Sequence, residues 1–172
     1  AFLITVRMNQ WDVEKDVRWC GNILLSSEVD LPGKYLEVAK KKELLLDLGG
    51  TPDRTSLHPE TGTLTNPTQL EIQANRGIRL IRKSKMIVEN HATLKLTANA
   101  QLDIQKGAEL IIKKGGKLIL EDQSQLIVRK KGKLTIEEGG EYSIQLGASI
   151  SSEPKAKISG VEDRIQKADF EG

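Results

Sequence analysis

Four residues with acid–base side chains stand close together in one stretch of the chain: Asp53, Arg54, His58 and Glu60. His58, which precedes Pro59, could act as a general base, and the other three supply the acidic and basic groups that hydrolytic chemistry uses. The alternative interpretation is a solvated polar loop, which we favour because prolines, threonines and serines surround these residues. We therefore treat the four as a candidate loop site and predict no catalytic residue.

Nucleophilic or metal chemistry has little support in the composition. Cys20 is the single cysteine, so the chain has neither a disulfide framework nor cysteine spacing for zinc. A nucleophilic role for its thiol would need a nearby histidine and a positive environment, and a buried, inert thiol beside Trp19 is the simpler interpretation. The two histidines, His58 and His91, argue against a metal site. We predict no metal and no cofactor.

The elements that position these residues follow from an eight-residue repeat between Leu70 and Ile150. Two apolar residues, two positions apart, recur in each unit, and that spacing puts both on one face of a strand. A unit repeated about ten times predicts a solenoid. The first apolar series is Leu70, Ile78, Met86, Leu94, Leu102, Leu110, Leu118, Leu126, Leu134, Tyr142 and Ile150. The second is Ile72, Leu80, Val88, Leu96, Ile104, Ile112, Leu120, Val128, Ile136 and Ile144.

A corner follows each predicted strand. A small residue usually stands four positions after the second apolar residue, as at Ala100 or Gly116, and the residue before it is often Gly or Asn. Gly and Asn tolerate a left-handed backbone, so we predict a bend around the residue before the small one, with a backbone that often has positive φ. These positions are Asn75, Lys83, His91, Asn99, Gly107, Gly115, Gln123, Lys131, Gly139 and Gly147.

The number of octads per coil can be judged from the outward side chains, because residues one coil apart lie side by side and opposite charges there are favourable. A 24-residue coil stacks Lys85 on Glu109 and Glu109 on Lys133, whereas a 16-residue coil gives columns of like charge. We therefore predict about three octads per coil, although Arg82, Lys106 and Lys130 then form a like-charge column. An interleaving of octads from three chains remains open.

The predicted fold is an all-β, right-handed parallel β-helix with an N-terminal capping segment. We assign residues 1–18 to the cap, 19–158 to the β-helix with a loop insertion at 49–69, and 159–172 to a C-terminal continuation or cap. Residues 35–48 could form a helix, but the alternation at Leu44, Leu46 and Leu48 favours strands. The chain begins at Ala1 and ends at Gly172 without a visible polar cap, so we expect a segment of a longer protein.

Charge and composition exclude several classes of partner. The net charge is only +2 with opposite charges interleaved, and aromatic residues make up 3%, so nucleic-acid binding is not expected. No apolar run reaches the length of a membrane span, so no membrane insertion is expected. Because the N-terminus looks trimmed, the missing signal peptide does not argue against secretion.

Two octads, Ala100-Gln-Leu-Asp-Ile-Gln-Lys-Gly-Ala108 and Ala108-Glu-Leu-Ile-Ile-Lys-Lys-Gly-Gly116, resemble those of bacterial secreted and cell-surface proteins with a pectin-lyase-like parallel β-helix. The segment Trp19-Cys-Gly-Asn-Ile-Leu-Leu, followed by Val29-Asp-Leu-Pro-Gly, resembles their entry into the first coil. The resemblance spans about Trp19 to Ile150 and implies an extracellular or cell-surface scaffold. The catalytic groups of enzymes with that fold match no positions here.

We therefore expect a non-catalytic structural or binding segment, a rigid adhesin-like scaffold, that contacts a polysaccharide or another protein. A monomer is favoured, and a homotrimer remains open. One alternative is a fragment of a polysaccharide-active lyase or hydrolase, with its site in the loop or outside this chain. Another is a trimeric β-helix, because the strict octad is similar to that of phage-tail needles, whose octads nevertheless prefer Val and Gly.

One set of apolar residues occupies outward positions of three successive octads: Ile111, Ile119 and Ile127. Three octads go once around a 24-residue coil, so these side chains should form a belt, with Ile87 in the Ile111 column. β-Branched residues chosen for strand propensity would explain the pattern. The alternative is that the loop, the N-terminal segment or a partner chain covers part of the belt, which makes it a candidate protein contact.

Overall fold

Three parallel β-sheets wound from one chain make up the protein, as seen in a computed structural model. The structure describes residues 3–5, 16–19, 22–25, 35–46, 68–73, 76–161 and 165–167. The described residues contain strands and turns but no helix, and the sheets stack as a β-solenoid of about four turns. The predicted all-β solenoid is therefore confirmed. Its right-handed sense rests on the general rule for parallel crossovers and stays a prediction.

Each sheet has six strands among the described residues, and from β3 to β17 the chain visits sheets A, B and C in turn. Sheet A contains β1 Leu3–Thr5, β3 Asn22–Leu25, β6 Thr68–Ile72, β9 Ala92–Leu96, β12 Lys117–Leu120 and β15 Glu141–Ile144. Sheet B contains β4 Tyr35–Val38, β7 Gly77–Leu80, β10 Gln101–Ile104, β13 Gln125–Val128, β16 Ser149–Ser152 and β18 Ile165–Lys167. Sheet C contains β2 Val17–Trp19, β5 Glu43–Leu46, β8 Lys85–Val88, β11 Glu109–Ile112, β14 Lys133–Ile136 and β17 Lys157–Ser159.

The register of the strands confirms a coil of three octads. Gln101 pairs with Gln125, 24 residues further along, and their amide side chains form a hydrogen bond of 3.2 Å. Lys85 pairs with Glu109, and Glu109 pairs with Lys133. A 16-residue coil would instead place Lys85 beside Gln101, which lies in another sheet. Every described strand pair is formed within this one chain, as the single-chain coil predicts.

Both apolar series point into the coil and form one continuous core. Leu110, Leu118 and Leu126, one from each sheet, have no exposed surface. Tyr142 shares their register, because it pairs with Leu118, yet 36% of its surface is exposed. The reason is its place in the fold: β15 is the last strand of sheet A, since β18 pairs with β16 in sheet B instead.

The corners have the predicted backbone. The residue before the small one has positive φ throughout the described octads, as at His91 (68°), Asn99 (62°) and Gly115 (80°). Of the ten predicted positions, Asn75 lies outside the described residues. Non-glycine residues pay an energetic cost in this conformation, which is repaid because the corners of successive coils hydrogen-bond to one another. The His91 amide donates to the Gly115 carbonyl, and the Gly115 amide donates to the Gly139 carbonyl.

The N-terminal half keeps the same three sheets with a longer connection. Residues 35–46 form β4 and β5, as predicted in preference to a helix. β5 ends at Leu46 and β6 begins at Thr68, so the predicted loop insertion falls almost wholly on residues outside the described part. β1 lies within the segment assigned to the N-terminal cap; it pairs in parallel with β3 and is the end strand of sheet A among the described residues.

Candidate functional site

One corner of the solenoid carries a row of positive charge. The turns between sheets B and C have two residues each, and in five successive coils their ten positions hold eight basic residues and no acid. We call these eight the basic corner: Lys40, Lys41, Arg82, Lys83, Lys106, Lys130, Lys131 and Lys155. The remaining two turn positions are Gly107 and Pro154. All ten residues are exposed.

Backbone hydrogen bonds hold these turns in a straight stack. The Lys41 amide donates to the Arg82 carbonyl at 3.2 Å, and the Lys83 amide donates to the Lys106 carbonyl at 3.2 Å. The Gly107 amide continues the series to the Lys131 carbonyl at 3.0 Å. Adjacent turns are therefore separated by the spacing of neighbouring strands, about 4.8 Å. The basic side chains leave the backbone at nearly regular intervals along the axis of the solenoid.

The stacked cations repel one another. The pKa of Lys106 lies below its ordinary value, chiefly because of the positive charge of Lys131 and then of Arg82. A shallow groove of about 430 Å³ runs along the same corner. It is lined by Lys40, Lys41, Arg82, Lys83, Lys106, Gly107 and Lys131. Apart from glycine, the lining is wholly basic, so the charge of the groove suits an anion better than a neutral or cationic molecule.

Charges elsewhere on the described surface are mostly arranged differently, because unlike charges face each other across coils, with the Lys133–Lys157 pair as an exception. On sheet B the Arg79 guanidinium contacts the Glu37 carboxylate at 3.0 Å. Beside sheet C the Lys113 ammonium lies 3.3 Å from the Glu137 carboxylate. The described turns of the other two corners hold few charges and both signs, namely Lys114, Asp122 and Glu138. The concentration of positive charge is therefore particular to the basic corner.

Two carboxylates mark the edge of the basic corner. Arg129 forms two hydrogen bonds to Asp103, at 3.0 and 3.2 Å, and a third to Glu153 at 3.1 Å. The hydrogen bond to Asp103 is the main cause that raises the pKa of Arg129. The pKa of Glu153 is lowered, first by the hydrogen bond that it accepts from the Lys130 amide. Arg129 is thus neutralised by its neighbours, and we exclude it from the basic corner.

The predicted belt residues lie on three different sheets: Ile111 in β11 of sheet C, Ile119 in β12 of sheet A and Ile127 in β13 of sheet B. They do go once around the solenoid and are half-buried. Ile87 pairs with Ile111, as predicted, and Leu45 pairs with Ile87. The sheet C face therefore has a short apolar column. Whether anything covers the belt stays a prediction.

The other predicted chemistry is placed as follows. Asp53, Arg54, His58 and Glu60 lie outside the described residues, as does Cys20. His91 is at the corner between sheets C and A, in the turn position that the sequence predicts. Within the described ranges, no group of three or more His, Cys, Asp or Glu side chains could hold a metal ion.

The basic corner was not predicted as a site from the sequence. Arg82, Lys106 and Lys130 form a like-charge column that disfavours a three-sided coil, and Lys83 and Lys131 are predicted turn residues. The sequence does contain a signal for this site. When both residues of each turn are aligned at a period of 24 residues, the basic residues fall in one corner out of three.

Comparison with known proteins adds no family. The chain matches no protein-family model, no curated protein and no solved structure. In the described part of the chain, no helix is long and apolar enough to span a membrane.

Proposed function

We propose that this chain is a non-catalytic structural segment, a rigid β-helical scaffold of a secreted or cell-surface bacterial protein. The observation that carries the proposal is the uninterrupted core. From β6 to β14, the two inward apolar residues of every strand are buried. From β6 to β12, each of them also pairs with an apolar equivalent in the next coil. Such a core resists bending, and each added coil supplies a further layer of the same kind.

The outward surface of the described residues supports the same function. Asp103, whose side chain is 8% exposed, is held by two hydrogen bonds from Arg129, which is the arrangement of a structural ion pair. Lys95 lies between Glu71 and Glu121, at 3.9 and 3.4 Å, and so joins neighbouring strands. Charged pairs of this kind fix the coils relative to one another and favour the observed register.

The pectin-lyase-like character, the extracellular location and the adhesin-like role belong to this proposal. They rest on the octads that begin at Ala100 and Ala108 and on the entry segment that begins at Trp19. A scaffold on a cell surface would space or display neighbouring parts of its protein. The alternative is a polysaccharide-active enzyme with its site in residues 53–60. An assay of turnover distinguishes this enzyme from the scaffold.

We expect the chain to show no hydrolase or lyase turnover on a panel of acidic and neutral polysaccharides. The physical reason is that Asp103, the buried carboxylate of the described strands, forms an ion pair with Arg129 and is not free to act as an acid or base. New reducing ends and unsaturated products are measured for the parent and for the Asp53→Ala and His58→Ala variants. Turnover by the parent that disappears in either variant would favour the enzyme and contradict the scaffold.

A further inference from the structure

Like charges stacked across coils are unfavourable, and the sheet faces of this chain mostly pair opposite charges, as along Lys85, Glu109 and Lys133, with the Lys133–Lys157 pair as an exception. At the basic corner the repulsion is retained over five coils. A multivalent anion laid along the corner would relieve it. We propose that the basic corner binds a linear acidic polysaccharide, which lies in the groove parallel to the axis of the solenoid.

The spacing of the basic corner fits this ligand. Each coil advances by about 4.8 Å and offers up to two cationic side chains. An extended pyranose chain that has one carboxylate or sulfate on each sugar presents its negative charges at nearly that interval. Seven of the eight basic residues are lysines, whose flexible stems can adjust to small differences in spacing. A short rigid array can therefore contact several successive sugars at once.

Nucleic acid fits the same corner less well. Proteins that bind single strands add aromatic side chains on which the bases stack, and no aromatic residue lines this groove. The phosphates of a duplex wind around its axis, so a straight row of cations meets only a few of them. The groove therefore offers charge without stacking, which suits a polyanion that needs no base contacts.

The inference goes beyond the scaffold role and does not depend on it. A scaffold with an inactive basic corner would still fold and still lack turnover. Conversely, a polysaccharide could bind the corner even if the Asp53–Glu60 segment were catalytic. The binding experiment below and the turnover experiment above can therefore fail separately.

The test uses the full chain and fluorescently labelled polymannuronate oligosaccharides, which have one carboxylate per sugar. Binding is followed by anisotropy at low and moderate salt. We expect the parent to bind, with an affinity that falls steeply as salt rises. The Arg82→Gln/Lys106→Gln/Lys131→Gln variant lacks the three positive charges at the centre of the groove. It should bind the oligosaccharide at least about tenfold more weakly, because each basic residue that faces an anionic surface adds to the binding free energy.

The matched control is Lys113→Gln/Lys114→Gln/Lys117→Gln, which removes the same charge near the corner between sheets C and A. It should bind nearly as the parent does. Thermal melts serve as a second readout: the oligosaccharide should raise the Tm of the parent and of the control but not of the groove variant. If the groove variant is poorly folded, the single change Lys106→Gln replaces it.

Three results would overturn the proposal. The first is no binding by the parent at low salt. The second is an equal loss of affinity in the groove variant and in the control, since only net charge would then matter. The third is tighter binding of single-stranded or duplex DNA of matched length than of polymannuronate, with the loss confined to the groove variant, which would assign the corner to nucleic acid.

Discussion

Replacing Leu110 with alanine should lower the free energy of unfolding by about 2–5 kcal/mol. Leu110 has no exposed surface and lies between Met86 and Leu134, which are equally buried. The truncation removes apolar contacts and leaves a cavity inside the coil. Backbone hydrogen bonds hold the strands on both sides of β11 in place, so the neighbouring coils cannot move together to fill the cavity.

The matched control for that prediction is Ile111→Ala, one residue further along the same strand. Ile111 faces outward and is only half-buried, so its truncation creates no enclosed cavity and should cost clearly less. Urea denaturation gives both free energies, provided that the slopes of the two transitions agree with that of the parent. A loss at Leu110 no larger than the loss at Ile111 would mean that the faces of β11 are reversed.

Replacing Gly116 with alanine should also destabilise the protein, by about 1–3 kcal/mol, because the added methyl group forces neighbouring coils apart. Gly116 occupies the small-residue position of the corner between sheets C and A. A Cβ atom built there would lie 2.6 Å from the Val88 carbonyl oxygen and 3.0 Å from that of Glu89. Both oxygens belong to the preceding coil, whose backbone is held by its own hydrogen bonds and cannot move freely.

Gly132→Ala is the control at the equivalent position of the basic corner. The nearest atom to its Cβ would be the Ile104 carbonyl oxygen at 3.0 Å, compared with 2.6 Å for the nearest atom at Gly116. A shift of a few tenths of an ångström accommodates this change, and the loss of flexibility in the unfolded chain offsets part of its cost. Thermal melts that rank Gly132→Ala as the more damaging of the two would contradict the packing described here.

The solenoid could be predicted because each octad carries the same signals for strand, corner and core. The paired apolar positions and the corner that follows them recur every eight residues, and the charges of Lys85 and Glu109 face each other at three times that spacing. Departures from the repeat were harder to foresee. The exposure of Tyr142 depends on β18 joining sheet B rather than sheet A, and nothing in the octad itself encodes that choice.

The candidate site was harder to predict than the fold. A single lysine in a turn, such as Lys83 or Lys131, is ordinary, and the charge of each octad is small. The basic corner exists only when turns that are distant in sequence are stacked, which requires the length of the coil to be known first. The Arg129 cluster is similar, because Asp103 and Glu153 meet Arg129 from the coils on either side.

Engineered disulfides can show whether one chain winds into coils of 24 residues. In a Cys20→Ser background, the Gln101→Cys/Gln125→Cys variant places two thiols on paired positions of neighbouring strands. Their Cα atoms are then about 4.8 Å apart, within the range that a disulfide spans. The control, Gln101→Cys/Lys117→Cys, has the 16-residue spacing and places its thiols on sheets B and A.

Both variants are oxidised under mild conditions at low protein concentration, and their peptides are mapped by mass spectrometry without reduction. We predict a bridge between positions 101 and 125 inside single chains, and none between positions 101 and 117. A bridge in the 101/117 variant, or a 101/125 bridge found solely between separate chains, would contradict the three-sided single-chain coil.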